Sequence, residues 1–187
     1  MREAILGDVS PRLTAVGISG SPSPTSKSRA LVERALAELG ARGAATQLVD
    51  LAQLPADALL GRRPAPELER ALAAVAAAAI VVAGTPVYRA TYSGLLKVFF
   101  DLLPQDGLTG KVGVAIATGH APAHALATEH GLRPLFASLG AAVAPTAVYG
   151  TSDQFANGTP DRALLAQVQR AAREAAALAR GLAEGGR

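Results

Sequence analysis

The hydrophobic positions of the chain fall into short continuous runs that alternate with amphipathic stretches. The runs are RLTAVGI (12–18), TQLVDL (46–51), AIVVAG (79–84) and KVGVAIAT (111–118), and AAVAPTAVYG (141–150) holds a fifth. Short apolar runs bounded by turn residues are typical of strands buried on both faces. The pattern therefore predicts five strands of a parallel sheet.

Helical patterns separate these runs. They cover Lys27–Leu39, a stretch from about Pro66 to Ala76, Gly94–Leu103, a stretch from about Pro122 to Leu139, and an Ala/Arg-rich stretch from about Asp161 to Leu182. Strands that alternate with helices indicate an α/β protein whose sheet carries helices on both faces. We predict a flavodoxin-like, doubly wound five-stranded parallel sheet of order 2-1-3-4-5, with ligands beyond the carboxyl ends of the strands.

Length and composition indicate one domain. The chain has 187 residues, of which 18% are charged and half are hydrophobic, so it can bury a sizeable core and is not disordered. We assign residues 1–187 to a single domain and expect 1–11 and 183–187 to be frayed. The longest wholly apolar run, Ala71–Ala83, is shorter than the roughly 20 residues that a membrane-spanning helix needs.

Cysteine content and charge narrow the possible functions. The chain contains no cysteine, which removes disulfides, thiolate nucleophiles and cysteine-type metal sites and suits a reducing cytoplasm. The N-terminus carries acidic residues and no long apolar core, so a signal peptide is not predicted. The net charge of +3 suits anionic small molecules, and no basic cluster with interleaved aromatics indicates nucleic acid. We expect a cytoplasmic protein that binds neither nucleic acid nor a membrane.

The first loop, SGSPSPTSKS (19–28), places six serines and threonines and one lysine between the first strand and the first helix. A helix N-terminus offers free N–H groups and a positive dipole end, and hydroxyls add donors, so a monophosphate would fit here. The alternative is an ordinary turn in which Ser26 or Ser28 only caps the helix. The position after the first strand favours the phosphate site. Neither GxGxxG nor GxxxxGK[ST] is matched, so a fixed NAD domain and an ATP-hydrolysing loop are not predicted.

The second and third loops predict the walls of a pocket for a flat ring. In TPVYRATYSG (85–94), Pro86 fixes the backbone, and Tyr88 and Tyr92 offer flat apolar surface with polar tips. In ATGHAPAH (117–124), Gly119 permits close approach of a ligand to the backbone. His120 and His124 stand four residues apart, but no further ligand accompanies them, so no metal site is predicted. Together with the phosphate site, these loops predict a pocket for flavin mononucleotide (FMN).

Longer stretches resemble a known family. GSPSPTSKSRAL, VVAGTPVYRATYSGLLKVFFDLLP, LTGKV and ATGHAPAHALATEHGLRPLF are similar to the NAD(P)H-dependent FMN reductases of alkanesulfonate and methanesulfonate utilisation. The similarity runs from about residue 13 to 150, and the TPVYxxxYSGxLKxxxDLLP stretch is its specific part. It implies a homodimer or homotetramer that reduces FMN with NADPH or NADH and hands FMNH2 to a separate monooxygenase.

The resemblance also implies site residues. It gives phosphate contacts to Ser21, Ser26, Lys27 and Ser28, a flavin wall to Pro86, Val87, Tyr88 and Arg89, and a second edge to Thr118 and Gly119. His120 stands where many relatives have a second glycine, and its side chain could contact the flavin rim. Ser19 and Ser93 complete the predicted set of cofactor-binding residues. The family also tends to carry a π-bulge at a subunit interface near the position of His130; for His130 itself we favour a partly exposed residue without a role.

No side chain is predicted to be catalytic, because the flavin itself accepts the hydride. NAD(P)H is expected to bind transiently over the exposed flavin face, where Arg89 is a candidate for steering its phosphates. Two alternatives remain open. One is a quinone, azo-dye or chromate reductase with tightly bound FMN; the other is a non-enzymatic, flavodoxin-like electron carrier, although such carriers tend to be acidic and this chain is basic.

Overall fold

The computed structural model describes residues 13–185, which form one parallel sheet with helices on both faces. The strands are β1 (Thr14–Ser19), β2 (Ala45–Asp50), β3 (Ile80–Pro86), β4 (Val112–Gly119), β5 (Ala142–Val143) and β6 (Val148–Thr151). Their order is β2-β1-β3-β4-β5, and β6 also pairs with β4. The predicted flavodoxin-like order is confirmed. The predicted start of the first strand at Arg12 and the frayed segment 1–11 lie outside the described residues.

The helices follow the predicted pattern with some changes of length. They are α1 (Lys27–Gly40), α2 (Ala56–Leu59), α3 (Pro66–Ala77), α4 (Gly94–Phe100), α5 (Arg133–Ala137) and α6 (Arg162–Gly185). Helix α6 therefore continues to Gly185, into the segment for which a frayed end is predicted. Within residues 13–185, no helix is long and apolar enough to cross a membrane.

Alternate residues of each strand point to opposite faces, so the sheet separates two cores. Ile80 and Val82 pack with α1 and α6, whereas Val81 and Ala83 pack with α3, α4 and α5. Helix α6 contributes mainly buried alanines to its core, such as Ala172 and Ala176. Small side chains of this kind let α6 lie close to α1 and to the sheet.

The fifth predicted strand is split into β5 and β6 at Pro145. Ala144 N still donates to Gly113 O at 2.9 Å, but Pro145 has no N–H for the ladder. The chain then leaves the ladder, and Thr146 N donates to a carboxylate oxygen of Glu174 on α6 at 2.6 Å. The strand resumes at Val148, which pairs with Ile116.

The predicted helix from Pro122 to Leu139 is wrong as a single α-helix. The segment begins as a 3₁₀ turn (Pro122–Ala125), becomes a π-helix (Thr128–Leu132) and ends as α5. Two features explain the wider turn. Pro134 lacks the N–H that an α-helical bond to His130 would need. Gly131 also lies against the second loop, where an added Cβ would meet Thr91 Oγ1 at 2.7 Å. The π-helix surrounds His130, where the family resemblance implies a π-bulge.

Helix α4 is three residues shorter than predicted. Leu102 N donates to Phe99 O and Leu103 N to Phe100 O, both at 3.2 Å, which are the tighter bonds of a closing turn before Pro104. The phenylalanines of this segment and Phe136 are fully buried rather than exposed. These rings therefore belong to the core and do not form part of an exposed surface.

Candidate functional site

A cleft of about 300 Å³ lies at the carboxyl edge of the sheet, beyond the ends of β1, β3, β4 and β6. Its walls come from four loops that are far apart in sequence. They are formed by Ser21, Ser23, Thr25, Ser26, Lys27, Pro86, Val87, Tyr88, Thr118, Gly119, His120 and Ser152. The predicted convergence of the first three loops is therefore present.

The first loop ends in a well-formed helix N-terminus. Ser26 is the N-cap of α1: its hydroxyl accepts from Arg29 N at 3.1 Å and lies 3.0 Å from the Ser28 hydroxyl. The intrahelical bonds start with Ala30 N to Ser26 O. The N–H groups of Lys27 and Ser28 precede that bond, so they stand at the positive end of the helix dipole.

Arg29 fixes this helix start to the neighbouring strand. Its guanidinium bonds to Glu33 at 2.9 Å and to Asp50, the last residue of β2, at 2.7 Å. The hydrogen bond that Arg29 donates to Glu33 raises the pKa of Arg29, and the charge of Asp50 adds to this effect. Arg29 therefore holds the first loop in register with the end of the sheet.

Lys27 is positioned by the segment that follows β6. Its ammonium lies 5.6 Å from the centre of the Phe155 ring, within the range of a cation–π contact. A hydrogen bond from the Thr151 side chain lowers the pKa of Asp153. A hydrogen bond from the backbone of Asp153 lowers this pKa further, and the charge of Lys27 has a smaller effect in the same direction. The Lys27 ammonium, which borders the cleft, is thus contacted by the segment that follows β6.

The first and second loops are joined through buried hydrogen bonds. The Ser93 hydroxyl donates to Gly20 O at 2.5 Å and accepts from Leu96 N at 3.1 Å, so it caps α4 as well. Ser93 N donates to Thr85 Oγ1 at 2.9 Å, and Gly20 N donates to Gly84 O at 2.8 Å. These bonds fix the distance between the two walls of the cleft.

The second loop carries a strained turn at the mouth of the cleft. Tyr88 N donates to Thr91 O at 2.9 Å, and Thr91 N donates to Tyr88 O at 3.3 Å. Between them, Arg89 and Ala90 have φ values of 50° and 72°, in the left-handed region that costs a side-chain-bearing residue about 1–2 kcal/mol. Such strain concentrates at ligand-binding sites. It leaves the Tyr88 side chain 48% exposed.

Of the two tyrosines predicted to form the aromatic wall, only Tyr88 lines the cleft. Tyr92 is half-buried and packs beside the π-helix, where a Cβ on Gly131 would lie 3.2 Å from its ring. The prediction for Tyr92 is therefore wrong. Because Gly131 has no side chain, the π-helix can pack against the Tyr92 ring.

The third loop brings β4 to the cleft. Val87 N donates to Thr118 O at 2.7 Å, which joins the second loop to the third. A Cβ on Gly119 would lie 2.5 Å from the Tyr149 hydroxyl, so glycine is needed for this close approach. That hydroxyl donates to Ala121 O at 2.7 Å, and burial raises the pKa of Tyr149. His120 is exposed at the cleft wall, and its Nδ1 lies 3.4 Å from the Ser152 hydroxyl.

Besides Tyr92, four of the predicted residues do not line the cleft. Ser19 is buried at the end of β1, and its hydroxyl has no hydrogen-bond partner among the residues described. Ser28 is fully buried beside Ser26, and Ser93 acts as the cap described above. Arg89 lies in the turn and is exposed. A direct phosphate contact from the Ser28 side chain is therefore not supported by its position.

Three cleft residues, Ser23, Thr25 and Ser152, were not predicted. Ser23 and Thr25 belong to the Ser-rich loop SGSPSPTSKS, and their hydroxyl groups are the sequence signal for such a role. Ser152 follows β6 and opens a turn that leads into a small hairpin of β7 (Phe155–Ala156) and β8 (Thr159–Pro160). The Asn157–Gly158 pair, with φ values of 49° and 80°, is the hairpin signal that the sequence offered.

The residues present fit an FMN molecule. The hydroxyls of Ser21, Ser23 and Thr25, the cation of Lys27 and the start of α1 are the donors that a phosphate dianion requires. Pro86, Val87 and Tyr88 supply an apolar wall for a ring, with hydrogen-bonding backbone beside it. Within residues 13–185, no group of three or more His, Asp or Glu residues could hold a metal ion.

The fold and this cleft define a flavodoxin-like protein with a mononucleotide site. Comparison with known proteins gives the family. The model of the NADPH-dependent FMN reductase family matches residues 13–155. The chain belongs to this family, whose members are oxidoreductases acting on FMN and a reduced nicotinamide nucleotide.

Individual relatives agree with this assignment. The FMN reductase (NADPH) of Pseudomonas putida is 37% identical over 147 residues, which cover 77% of this chain and 75% of the relative. The NADH-dependent FMN reductase SfnF of Pseudomonas fluorescens is 36% identical over 171 residues, covering 89% and 91%. The crystal structure of the NADH:FMN oxidoreductase EMOB in its apo form has a TM-score of 0.80 at 36% identity, covering 86% of this chain and 87% of that one. A Streptococcus pneumonia flavodoxin, 17% identical with a TM-score of 0.59, shares the fold.

Proposed function

We propose that this protein reduces FMN as a dissociable substrate, using NADPH or NADH, and supplies FMNH2 to a separate monooxygenase. The observation that carries the proposal is a single cleft in which a cationic, hydroxyl-lined helix start faces an apolar proline–tyrosine wall. Relatives that are named NADH-dependent FMN reductase SfnE and SfnF support the reduction of FMN by a nicotinamide nucleotide. The reaction balances as NAD(P)H, one proton and FMN giving NAD(P)⁺ and FMNH2.

The phosphate is proposed to bind at the first loop. The cation of Lys27 and the hydroxyls of Ser21 and Ser26 line this end of the cleft, and the free N–H groups of the first turn of α1 point the same way. Ser23 and Thr25 supply further hydroxyl donors at this end of the cleft. Ser28 contributes through its backbone N–H, because its hydroxyl is buried.

The flavin ring is proposed to lie between the second and third loops. Pro86, Val87 and Tyr88 would form one wall, and Thr118, Gly119 and His120 the other. Bound FMN supplies the hydride-accepting chemistry, so the chain needs no nucleophile or general base. The work of these residues is to orient the ring and to exclude water from one face of it.

The exposed side of the cleft is proposed to admit the nicotinamide nucleotide. Tyr88 and Arg89 stand at its mouth, and Arg89 can attract the phosphates of NAD(P)H without entering the cleft. We also propose that the protein is cytoplasmic and forms homodimers or homotetramers. Leu126, next to the π-helix, is 58% exposed and is one apolar side chain that a second copy could cover.

Removing the charge of Lys27 tests the proposal. In Lys27→Met, the dissociation constant of FMN should rise about tenfold or more, because charge-assisted hydrogen bonds are lost, while that of riboflavin should not change. Lys97→Met is the matched control, since Lys97 pairs with Asp101 on α4, away from the cleft. Fluorescence titration of the three proteins with both flavins measures the effect. Equal losses for FMN and riboflavin, or no loss for either, would contradict the phosphate assignment.

The lifetime of the complex tests whether FMN is a substrate or a prosthetic group. With the proposed function, ultrafiltration should separate most FMN from the protein, and NADPH oxidation should saturate with added FMN. Retention of stoichiometric FMN, with activity towards a quinone in the absence of free flavin, would favour the alternative reductase.

A further inference from the structure

The third loop places an ionisable side chain on the wall of the flavin cleft. His120 directly follows Gly119, the last residue of β4, and its exposed imidazole lines the cleft. Among the cleft residues that the structure describes, Lys27 and His120 are the two whose side chains can carry a positive charge. Lys27 belongs to the end proposed for the phosphate, so His120 is the cation available to the part of the cleft proposed for the ring.

The backbone on both sides of His120 is held in place. Gly119 belongs to the ladder between β4 and β6, and the Tyr149 hydroxyl donates to Ala121 O at 2.7 Å. The imidazole itself has a polar neighbour, because its Nδ1 lies 3.4 Å from the Ser152 hydroxyl. The ring is therefore carried on a fixed segment and is contacted at one nitrogen, which leaves Nε2 available to a ligand.

The Ser152 hydroxyl is a suitable neighbour for a histidine that changes its charge. When the imidazole is neutral, the hydroxyl can donate to Nδ1, which places the ring proton on Nε2. When the imidazole is protonated, the same hydroxyl can accept from Nδ1–H. Nε2–H is thus a hydrogen-bond donor in both states, and only the protonated state adds a positive charge.

We propose that His120 donates a hydrogen bond from Nε2 to the bound flavin ring and, when protonated, stabilises the negative charge of reduced FMN. The inference rests on the proposed function, because it uses the position assigned above to the ring. Hydride transfer breaks a C–H bond of the nicotinamide and forms an N–H bond on the flavin. The flavin thereby gains two electrons and one proton, so the reduced ring is an anion until it takes up a second proton. A hydrogen-bonded cation favours this anion over the neutral, oxidised ring.

The charged and titratable groups around the cleft permit this role. On the elements around His120 they are Lys27, Tyr88, Arg89, His124, Tyr149 and Asp153. Burial raises the pKa of Tyr149, so its phenol stays neutral. A hydrogen bond from Thr151 lowers the pKa of Asp153, so the residue next to Ser152 stays anionic and favours a cation nearby. The charge of Lys27 has the opposite effect, but the flavin phosphate proposed to bind Lys27 offsets it.

Replacing His120 with glutamine separates its charge from its hydrogen bond. His120→Gln keeps a donor of similar reach but cannot be protonated. His130→Gln is the matched control, because His130 is exposed on the π-helix and does not line the cleft. Dissociation constants of oxidised FMN, and of FMN reduced with dithionite in the absence of oxygen, are measured by ultrafiltration at about pH 6 and about pH 9, on either side of the range in which histidine changes its charge.

The expected effect is on the preference for reduced FMN, which is the dissociation constant of oxidised FMN divided by that of reduced FMN. At about pH 6 this preference should be about tenfold greater in the wild type than in His120→Gln, because a charge-assisted hydrogen bond is lost. The difference should shrink at about pH 9, where a histidine side chain is neutral. Ser152→Ala should lower the preference by less, about threefold, because His120 keeps its charge and loses only its neighbour.

The controls have equally definite outcomes. His130→Gln should match the wild type at both pH values. Oxidised FMN should still bind to His120→Gln, which shows that the variant is folded.

Three results would contradict the inference. Equal preference in the wild type and in His120→Gln at both pH values, with both forms of FMN bound, would overturn the role of His120 alone. A difference that is the same at both pH values would show a hydrogen bond without a charge and would overturn the stabilisation of reduced FMN by a cation. Failure of the wild-type protein to bind either form of FMN would instead contradict the proposed function, and the role of His120 with it.

Discussion

Replacing Gly84 with alanine should push helix α1 away from the sheet and disturb the phosphate loop. Gly84 lies in β3 beneath the start of α1. A Cβ at this position would lie 2.3 Å from Val32 Cγ2 and 3.0 Å from Ser28 O. The valine is β-branched and has little rotamer freedom in a helix, and the serine contact is to backbone. Neither neighbour can move aside without movement of the helix.

The size of the effect follows from this overpacking. Inserting a methyl group into a closely packed core costs about 1–3 kcal/mol. For a protein of this length, each kcal/mol corresponds to about 2–4 °C, so the melting temperature should fall by about 2–12 °C. Because Ser28 belongs to the first turn of α1, the same movement should shift the N–H groups proposed to hold the FMN phosphate. We expect the FMN dissociation constant to rise about tenfold.

Thermal unfolding and FMN titration of Gly84→Ala measure both effects. Gly94→Ala is the matched control, because a Cβ at Gly94 meets nothing within 4 Å and the residue begins helix α4, where alanine is tolerated. An unchanged melting temperature in Gly84→Ala would refute the packing argument. A lower melting temperature with unchanged FMN affinity would refute the link between the position of α1 and phosphate binding.

Two further predictions follow from buried and exposed polar groups. Ser93→Ala removes the hydroxyl that donates to Gly20 O and accepts from Leu96 N. The free energy of unfolding, measured with urea, should therefore fall by about 1–3 kcal/mol. FMN should also bind more weakly. The pKa of Asp153 is lowered in the folded protein, so its contribution to stability is present above its unfolded pKa of roughly 3.9 and is lost as the pH falls through the lower folded value. Asp153→Asn should therefore be less stable than the wild type at pH 6, and the difference should shrink as the pH falls through the lowered folded pKa of Asp153.

Each of these predictions has a clear contrary result. Ser138→Ala removes a hydroxyl from an exposed turn and should cost less than Ser93→Ala, so equal losses would argue against the buried connection between the loops. A difference between the wild type and Asp153→Asn that does not shrink as the pH is lowered into the acid range would show that the Asp153 carboxylate is not the source of the effect.

The sequence predicted the site in outline because its signals are local. A Ser-rich loop after the first strand, a proline–tyrosine segment after the third and a glycine after the fourth can each be read within ten residues. Parallel strands bring their carboxyl ends to one edge, so the convergence of these loops follows from the strand order. The family resemblance added the residue assignments, most of which lie on the cleft wall.

The direction of each side chain could not be predicted from the sequence in the same way. Tyr88 and Tyr92 have the same residue type and belong to the same segment, but a turn with two left-handed residues separates them. Tyr88 therefore faces the cleft, while Tyr92 lies under the π-helix against Gly131. In the first loop, Ser26 and Ser28 differ similarly, because the first turn of α1 directs one towards the cleft and buries the other.

The sequence by itself determined the order of strands and helices, the parallel sheet and the edge at which ligands bind, because hydrophobic periodicity and chain connectivity are local properties. Only the tertiary structure decided how the chain turns away at Thr146, how the π-helix rests on the second loop and how Arg29 is anchored at the start of α1. Each depends on a partner distant in sequence: Glu174 for Thr146, the second loop for Gly131, and Asp50 for Arg29. Contacts of this kind form only when separate elements pack together, so no local pattern can specify them.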